Sequence, residues 1–449
     1  MSLSKKKYFG TDGIRGKSNT SKMNASLALN IGMATADFFT RGNHKHFVLI
    51  GKDTRLSNYT IEPALTAGFL SMGMNVYLTG PLPTPGVSAL VSSMRCDVGV
   101  MISASHNHYV DNGIKIFGPD GGKLSDKEEM NIENLIDSKF KKLVKSENLG
   151  RAKRIDDAGG RYIEYLKSKI SSKLRLDGLK IVVDCANGAA YKVAPKVLWE
   201  LGAEVIPMNV SPDGTNVNKD SGSTFPKNLI NKVLELKADV GIALDGDADR
   251  SILVDENGSI IDGDKILAII ASFWKKKKFL FNNTVVGTVM TNKGLEDYLN
   301  KNKINLIRTD VGDRNIIKVM RDENIILGGE PSGHVILNKY SSTGDGILAA
   351  LEILGIMKTR NKKLSSLSNI YQSYPQIIQN FPIQQNQDPN KLIKLLKTKL
   401  KKYINKNNTR LIIRKSGTEN KIRIMSEAKN FNLAEIISKD AIKILKEKS

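Results

Sequence analysis

A short polar stretch, residues 103–115, follows an unbroken apolar run at residues 98–102. The apolar run predicts a buried strand, and the small polar residues after it predict a turn. Ser105 in this turn is a candidate nucleophile for phosphoryl transfer, and Lys115 could steer a proton or a phosphate charge. Taken alone, the stretch is equally typical of an ordinary polar turn, because turns are rich in Ser, Asn and Gly.

Three carboxylates, Asp245, Asp247 and Asp249, directly follow a second apolar run at residues 240–244. Their mutual repulsion is relieved by a hard cation with oxygen ligands. A calcium-binding EF-hand loop is excluded because Arg250 stands where that loop needs glycine. Mg²⁺, which shares its coordination shell with substrate phosphates, fits these residues better than a solvated acidic turn.

Two further clusters carry polar groups suited to a phosphosugar. The first combines Glu330, Ser332 and His334 in a glycine-rich turn, which suits sugar hydroxyls that need both donors and acceptors. The second, residues 414–423, concentrates basic and hydroxyl side chains around one glycine, which predicts a cradle for a phosphate. Either cluster alone is more often a surface loop, and only the full set of four argues for a site.

These four clusters, in this order, resemble the signature loops of the α-D-phosphohexomutase superfamily. In the four clusters the matching residues are 103–107 (Ser-Ala-Ser-His-Asn), 245–250 (Asp-Gly-Asp-Ala-Asp-Arg), 329–330 with 332–334 (Gly-Glu and Ser-Gly-His) and 414 with 416–419 (Arg and Ser-Gly-Thr-Glu). Residues 8–16 (Tyr-Phe-Gly-Thr-Asp-Gly-Ile-Arg-Gly) match the N-terminal signature of the superfamily, whereas His108, Pro331, Lys415 and Asn420 depart from its usual pattern. Connecting pieces such as 51–55 and 311–314 extend the resemblance over nearly the whole chain.

The resemblance implies a role for each cluster. It implies a phosphoserine at Ser105, and one Mg²⁺ per chain held by three aspartates and the phosphate on that serine. The implied metal ligands are Asp245, Asp247 and Asp249, and the implied catalytic residues are Ser105, Arg15, His106, Lys115 and His334. The implied substrate-binding residues are Glu330, Ser332, His334, Arg250, Arg414, Ser416, Gly417, Thr418 and Arg423.

The implied reaction is the interconversion of glucosamine 6-phosphate and glucosamine 1-phosphate through glucosamine 1,6-bisphosphate, which also serves as activator. Glu330 could then meet the sugar's amino group as an ion pair. Glucose or mannose phosphates, handled by the same machinery, are the alternative substrates. The sequence does not decide which of Lys115, Arg15 and His334 handles the proton.

The chain's 449 residues and its local patterns predict three α/β domains followed by a smaller C-terminal α+β domain around a central cleft. We expect the domains at residues 1–153, 154–255, 256–369 and 370–449. Strand-turn-helix units begin near residues 46, 179 and 284. Helical periodicity covers residues 126–144, 157–170, 227–236 and 433–445.

The formal charge of +22 would suit a nucleic-acid-binding protein, but its lysines are spread along the chain without a zinc-finger or RNA-binding signature. We therefore expect a small phosphosugar as partner, with no dedicated nucleic-acid binding and no membrane association, and a homodimer remains open. The start of the chain lacks the apolar stretch of a secretory signal, which favours a cytoplasmic location. Cys96 and Cys185 have no metal-type spacing and are expected to be reduced core thiols.

Overall fold

The computed structural model describes residues 6–10, 12–138, 143–384, 387–403, 409–415 and 421–447. The chain divides into two compact units, Met1–Met290 with Ile304–Ile370 and Thr291–Lys303 with Tyr371–Ser449. The first unit carries three α/β sheets and the second carries one antiparallel sheet with helices. The α/β architecture predicted from the sequence is thereby confirmed.

The first sheet has the strand order β1-β5-β4-β2-β3-β6, from β1 (Ile14–Lys17), β2 (Phe47–Lys52), β3 (Asn75–Pro81), β4 (Val98–Ile102), β5 (Asp111–Phe117) and β6 (Ala152–Arg154). Strand β4 is buried at every residue, which is why it reads as an unbroken apolar run. The accompanying helices are α1 (Ala25–Phe39), α2 (Asn58–Ser71), α3 (Thr84–Ser93), α4 (Asp126–Asp137) and α5 (Ala158–Lys169).

The second sheet has the order β11-β10-β9-β7-β8, from β7 (Lys180–Asp184), β8 (Glu204–Met208), β9 (Val240–Leu244), β10 (Ser251–Asp255) and β11 (Ile260–Ile261). Strands β7, β8 and β9 are parallel. Helices α6 (Val193–Glu200) and α7 (Lys227–Leu236) form the crossovers between them. Strand β9 is buried throughout, like β4, and delivers the aspartate loop at its carboxyl end.

The third sheet begins after helix α8 (Gly263–Lys276) and has the order β13-β12-β14-β15. Its strands are β12 (Thr284–Thr288), β13 (Asn305–Thr309), β14 (Leu327–Gly329) and β15 (Val335–Leu337), and helix α9 (Lys293–Lys301) between β12 and β13 belongs to the second unit. Helices α10 (Asp313–Asp322), α11 (Gly346–Arg360) and α12 (Leu364–Ser368) complete this part of the first unit.

The second unit contains an antiparallel sheet in the order β16-β18-β17, made of β16 (Gln376–Pro382), β17 (Thr409–Lys415) and β18 (Lys421–Ala428). Helices α13 (Pro389–Lys399) and α14 (Phe431–Lys446) contribute Leu392, Leu396, Ile437 and Leu445 to its apolar core. The expected α+β character of the C-terminal part is confirmed.

The predicted helices agree with the structure except at one end. The pattern over residues 126–144 predicted a longer α4, but the helix ends at Asp137. Ser138 adopts an extended backbone, and its hydroxyl donates a hydrogen bond of 2.7 Å to the Leu135 carbonyl at the end of the helix. A polar cap therefore overrides the apolar periodicity that continues beyond it.

The two cysteines are buried and free, as predicted. Burial raises the pKa of the Cys96 thiol to about 12, so that thiol stays protonated at neutral pH. Within the described ranges, none of the helices has the length and apolarity needed to cross a membrane.

Candidate active site

Three of the four predicted loops leave the carboxyl ends of central strands in the three α/β sheets. Ser105 follows β4, Asp245 follows β9 and Glu330 follows β14. The ends of such strands are the usual place for ligand sites in α/β folds. The Ser105 hydroxyl donates a hydrogen bond of 2.7 Å to Asp245, so two of these loops meet directly. The third loop contacts the end of the aspartate loop through its backbone, because Ser251 N donates a hydrogen bond of 3.0 Å to Gly333 O.

Ser105 has a left-handed backbone with φ of +53°, which a non-glycine residue adopts only at a cost of about 1 kcal/mol. Three contacts hold it there. The Ser105 amide donates to the Ser103 hydroxyl at 2.9 Å. The Ser105 carbonyl accepts from Arg55 at 2.8 Å and from Asn218 at 2.9 Å. These backbone contacts hold the residue predicted as nucleophile in its left-handed conformation.

Arg55 is the main support of the Ser105 loop. Its side chain is fully buried and pairs with Asp53, with Nε 2.7 Å from Oδ2. The two terminal nitrogens of the guanidinium donate to four carbonyls of the loop, those of Ser105, Asn107, His108 and Asp111. A planar fork of donors makes this possible, whereas a lysine could not reach all four carbonyls. No feature of the sequence had indicated that Arg55 supports this loop.

The three aspartates converge as predicted, with one carboxylate oxygen from each lying within 4.8 Å of the others. All three are buried. Burial, together with the charges of Asp249 and Asp247, raises the pKa of Asp245 well above its ordinary value. Oδ1 of Asp247 and Oδ1 of Asp249 have no hydrogen-bond partner among the described residues. Buried carboxylate oxygens that lack a hydrogen bond and lie at this spacing fit a divalent cation with oxygen ligands, so the residues suit the implied Mg²⁺.

Lys115 supplies positive charge to the same cluster. Its ammonium lies 2.8 Å from Asp247, 3.1 Å from Asp249 and 3.2 Å from Asp12. Burial disfavours the ammonium, but the carboxylates of Asp12, Asp247 and Asp249 more than offset this and hold the pKa of Lys115 well above its ordinary value. The side chain is therefore a fixed cation and not a base in this arrangement.

Thr84 at the start of α3 fixes the orientation of Asp247. Its hydroxyl donates to Asp247 Oδ2 at 2.6 Å, and its amide donates to Asp247 O at 2.9 Å. Such contacts from residues behind the ligands commonly orient metal-binding carboxylates. Thr84 is separated from Asp247 by 163 residues, so no local pattern could have indicated this contact.

A second lysine, Lys123, forms ion pairs with Asp12 and Asp313. Asp12 also pairs with Arg15, whose guanidinium donates to the Ala104 carbonyl at 3.4 Å. Arg15 was expected in the site from the sequence, whereas Asp12, Lys123 and Asp313 were not. The signal that could have found the two acids was present, because they lie in segments 8–16 and 311–314 that carry the family resemblance.

The two predicted catalytic histidines have opposite electrostatic settings. His106 Nδ1 lies 3.2 Å from the Ser105 hydroxyl, and burial together with Arg250 and Arg15 lowers its pKa to about 3, so it is neutral. His334 is buried between acids, with Nδ1 3.7 Å from Asp249 and Nε2 3.6 Å from Asp313. Burial lowers the pKa of His334, but contact with Asp249 and Asp313 reverses the effect and raises it.

The predicted sugar-binding residues differ in exposure. Glu330 is 9% exposed, and its Oε1 accepts a hydrogen bond of 3.1 Å from Gly312 N. Ser332, in the same loop, is exposed. Arg250 lies beside the aspartates, with its amide 3.2 Å from Asp245 Oδ1 and its Nε 3.8 Å from Asp249 Oδ1. The structure therefore groups Arg250 with the aspartate loop.

The predicted phosphate cradle lies in the second unit. Arg414 on β17 is the register partner of Arg423 on β18, so the two guanidinium-bearing residues stand opposite each other on adjacent strands. Directly opposed like charges destabilise a strand pair unless an anion or another partner compensates them. The remaining predicted members, Ser416, Gly417 and Thr418, lie outside the described residues.

Family models describe the same four parts in the same order. Domains I, II and III of phosphoglucomutase/phosphomannomutase, each described as alpha/beta/alpha, match residues 6–142, 160–258 and 262–374. The C-terminal domain of the same family matches residues 370–442. The chain therefore belongs to the phosphoglucomutase/phosphomannomutase family, and the expected superfamily is confirmed.

Within this family, a phosphoglucosamine mutase from Parvibaculum lavamentivorans is 50% identical over 446 residues, covering 98% of both chains. Two solved structures share the fold. A phosphoglucomutase/phosphomannomutase family protein from Burkholderia thailandensis gives a TM-score of 0.81 at 22% identity over 97% of each chain. The N-acetylphosphoglucosamine mutase of Aspergillus fumigatus, in complex with GlcNAc-6P and magnesium, gives 0.67 at 17% identity, covering 99% of this chain and 96% of that one.

Proposed function

We infer that this protein is a phosphoglucosamine mutase, which interconverts glucosamine 6-phosphate and glucosamine 1-phosphate. The observation that carries the inference is the position of Ser105, whose hydroxyl lies 2.7 Å from Asp245 at the edge of a three-aspartate cluster. A nucleophile beside a cation site is the arrangement that phosphoryl transfer requires. The choice of glucosamine rests on the 50% identity to a phosphoglucosamine mutase over nearly the whole chain.

We propose that Ser105 works as a phosphoserine. Its phosphoryl group passes to the free hydroxyl of the bound phosphosugar, which breaks the serine–phosphate bond and yields glucosamine 1,6-bisphosphate. The bisphosphate then turns around, and its other phosphate returns to the Ser105 oxygen, which leaves the product monophosphate. Atoms balance over the cycle, and the bisphosphate also phosphorylates any enzyme that has lost its phosphoryl group.

We further propose one Mg²⁺ per chain, held by Asp245, Asp247, Asp249 and a phosphate oxygen on Ser105. When bound, the cation offsets negative charge on the transferring phosphoryl group. The fully buried Asp247 and Asp249 oxygens described above are the support for this ligand set. Lys115 and Arg15 add fixed positive charge on the same side of the site, since both side chains are held by carboxylates.

We assign to His334 the exchange of a proton with the substrate hydroxyl that reacts. Lys115 is held as an ammonium and an arginine deprotonates only with difficulty, so these two side chains act by charge. His106 has a pKa of about 3, which makes it a weak base and leaves it to hydrogen-bond the Ser105 oxygen. His334 has a raised pKa and a buried Nε2 without a hydrogen-bond partner among the described residues. This nitrogen is suited to exchange a proton with a substrate hydroxyl.

Substrate recognition is divided between a sugar side and a phosphate side. Glu330 and Ser332 hold sugar hydroxyls, and the Glu330 carboxylate pairs with the amino group. Arg250, which lies beside the aspartates, contacts the substrate near the reacting group. The cradle residues Arg414, Ser416, Gly417, Thr418 and Arg423 bind the phosphate that is not reacting. Guanidinium groups bind phosphate through two parallel hydrogen bonds, which supports the arginines in this role. We place the enzyme in the cytoplasm, where nucleotide sugars such as UDP-N-acetylglucosamine are made. A measurement of molar mass in solution would test whether it forms a homodimer.

A coupled assay with glucosamine, glucose and mannose 6-phosphates, each with catalytic bisphosphate, tests the proposal. We expect kcat/KM to be at least about 10-fold higher for the amino sugar, because an unmatched buried charge rejects the other two. Ser105→Ala should abolish turnover of all three sugars, and the exposed Ser92→Ala should not. Preference for glucose or mannose phosphate would overturn the substrate assignment, and full activity of Ser105→Ala would overturn the mechanism.

A further inference from the structure

A cluster of metal-binding side chains lies apart from the catalytic loops: His44, His46 and Asp97. His44 Nε2 and His46 Nδ1 lie 2.7 and 3.2 Å from the same atom, Oδ1 of Asp97. The cluster uses two of the five histidines of the chain. Among the residues that the structure describes, only this group and the aspartate triad bring three such ligand atoms together.

Backbone pairing fixes the cluster in place. His46 immediately precedes β2, with His44 two residues earlier, and Asp97 immediately precedes the parallel neighbour β4. Asp97 N donates to Phe47 O at 2.9 Å, and Phe47 N donates to Asp97 Oδ2 at 2.8 Å. One carboxylate oxygen is thereby occupied by the backbone, and the other is directed to the two imidazoles. Hydrogen bonds of this kind to a ligating carboxylate are typical of prepared metal sites.

We propose that His44, His46 and Asp97 bind a divalent transition metal of the Zn²⁺ type, with water as the fourth ligand. Imidazole and carboxylate together suit Zn²⁺, which takes bonds of about 2.0–2.1 Å in tetrahedral geometry. Ligand atoms around such an ion lie about 3.3 Å apart, as follows from those bond lengths. The observed separations of 2.7 and 3.2 Å therefore need only small side-chain movements.

Exposure differs across the cluster in a way that suits a metal. The His46 side chain is 9% exposed, and that of His44 is 60% exposed. The buried imidazole and the carboxylate provide a fixed base, and the exposed imidazole gives the ion and its water a path from solvent. In the alternative, the Asp97 carboxylate only accepts hydrogen bonds from the two imidazoles, and the cluster binds no metal.

The proposed ion would join the starts of two strands whose other ends position the nucleophile. Strand β4 leads over about 17 Å to the Ser105 loop, and β2 leads to Asp53 and Arg55, which support that loop. The site is thus separate from the aspartate cluster and would act by stabilising the first sheet. It does not depend on the proposed phosphosugar chemistry.

Zinc binding to the metal-stripped full-length chain, with excess Mg²⁺ present to occupy the aspartate cluster, tests the proposal. We expect one equivalent of Zn²⁺ by calorimetric titration, with two nitrogen ligands by X-ray absorption. His44→Ala and His46→Ala should each weaken binding at least about 10-fold. His44 is exposed, so its variant should keep the fold, which circular dichroism would verify.

Two control variants separate this site from others. His108→Ala removes an exposed imidazole outside the cluster and should leave zinc binding unchanged. Asp245→Asn alters the catalytic cluster and should also leave it unchanged. Zinc affinity equal in wild type, His44→Ala and His46→Ala would overturn the proposal, as would loss of binding in Asp245→Asn or a zinc ion without nitrogen ligands.

Discussion

At the residue scale, each buried lysine near Ser105 contacts more than one carboxylate. Lys115 contacts Asp12, Asp247 and Asp249, and Lys123 joins Asp12 to Asp313. Buried charges are costly unless they are paired and hydrogen-bonded. Oδ1 of Asp247 and Oδ1 of Asp249 nonetheless accept no hydrogen bond from the described residues, which suits them as ligands of a cation. The aspartate cluster therefore has the charge and the oxygen ligands that suit the proposed divalent ion.

Asp247→Asn should weaken the metal site without removing its shape. Asparagine keeps an oxygen for the Thr84 hydroxyl but loses the charge that pairs with Lys115. We expect the Mg²⁺ concentration for half-maximal activity to rise at least about 10-fold, as for other losses in metal-site coordination. Activity measured against Mg²⁺ after chelation provides the test. Wild-type activity that survives exhaustive chelation would contradict a metal-dependent reaction.

Glu330→Gln should change substrate preference rather than folding. Glutamine keeps the oxygen that accepts from Gly312 N at 3.1 Å, but it cannot pair with an ammonium group. We expect kcat/KM to fall about 10-fold more for glucosamine phosphate than for glucose phosphate, since a hydrogen bond between charged groups contributes about 1.5–3 kcal/mol. The exposed Glu323→Gln should alter neither value. Equal losses for both sugars would show that Glu330 does not recognise the amino group.

The sequence predicted the residues that carry chemistry better than those that support them. Ser105 and the aspartates stand out because nucleophile and ligand types follow apolar strands in short loops. Arg55 and Thr84 gave no such signal, because a buried arginine and a helix-start threonine have many structural uses. Their contacts span 50 and 163 residues. Only the folded sheet brings these pairs together.

Strand ends and the loops that leave them determine how closely the catalytic groups approach. At the end of β9, a Cβ added to Gly246 would lie 2.6 Å from the Ser105 carbonyl oxygen and 2.9 Å from the Asn218 amide nitrogen. The aspartate loop can therefore approach the serine loop this closely only with glycine at position 246. No local pattern indicates that residues 105 and 218 are the neighbours of this glycine.

Gly246→Ala should push the two loops apart. We expect kcat to fall at least about 100-fold, because a displacement of about 1 Å in a catalytic group can cost that much. Gly160→Ala, on the exposed side of α5 where an added Cβ meets no atom within 4 Å, is the matched control. It should leave activity unchanged and raise stability by up to about 1 kcal/mol. Similar activity in both variants would contradict the close approach of the loops.

Asp345 is the N-cap of helix α11 and accepts a hydrogen bond of 2.9 Å from Leu348 N. Its carboxylate also accepts one of 2.8 Å from the Tyr162 hydroxyl. Burial raises the pKa of Asp345 to about 6 from an ordinary value of 3.8. The folded state therefore binds more protons than the unfolded state between about pH 4 and 6. Its stability falls as the pH rises through that window, by up to about 3 kcal/mol.

Asp345→Asn should remove this pH dependence, because the amide keeps an oxygen for the cap and has no charge to bury. Urea unfolding between pH 4 and 7 would show a smaller decline in the free energy of unfolding than in wild type. Asp37→Asn, at an exposed carboxylate on α1, should behave as wild type. A parallel decline in Asp345→Asn and wild type would contradict the assignment of the buried charge.

At the scale of the whole chain, the order of the signature loops was the most reliable prediction from the sequence. The four family domains match the chain in that same order. The sequence did not predict that helix α9 belongs to the same compact unit as the C-terminal sheet. This grouping depends on contacts such as Asn292 Nδ2 to Tyr374 O and Lys293 N to Glu427 Oε1, each 2.9 Å long, between residues 82 and 134 positions apart. No periodicity encodes such distant pairs.

The central claim is that the phosphoryl group on Ser105 is passed to the sugar. Enzyme labelled by ³²P-glucosamine 1,6-bisphosphate and freed of unbound label should be mixed rapidly with glucosamine 6-phosphate. The label is predicted to leave the protein at least as fast as the enzyme turns over, and to appear in the bisphosphate. Ser105→Ala should take up no label. Label that stays on the protein during turnover, or equal labelling of Ser105→Ala, would contradict the account.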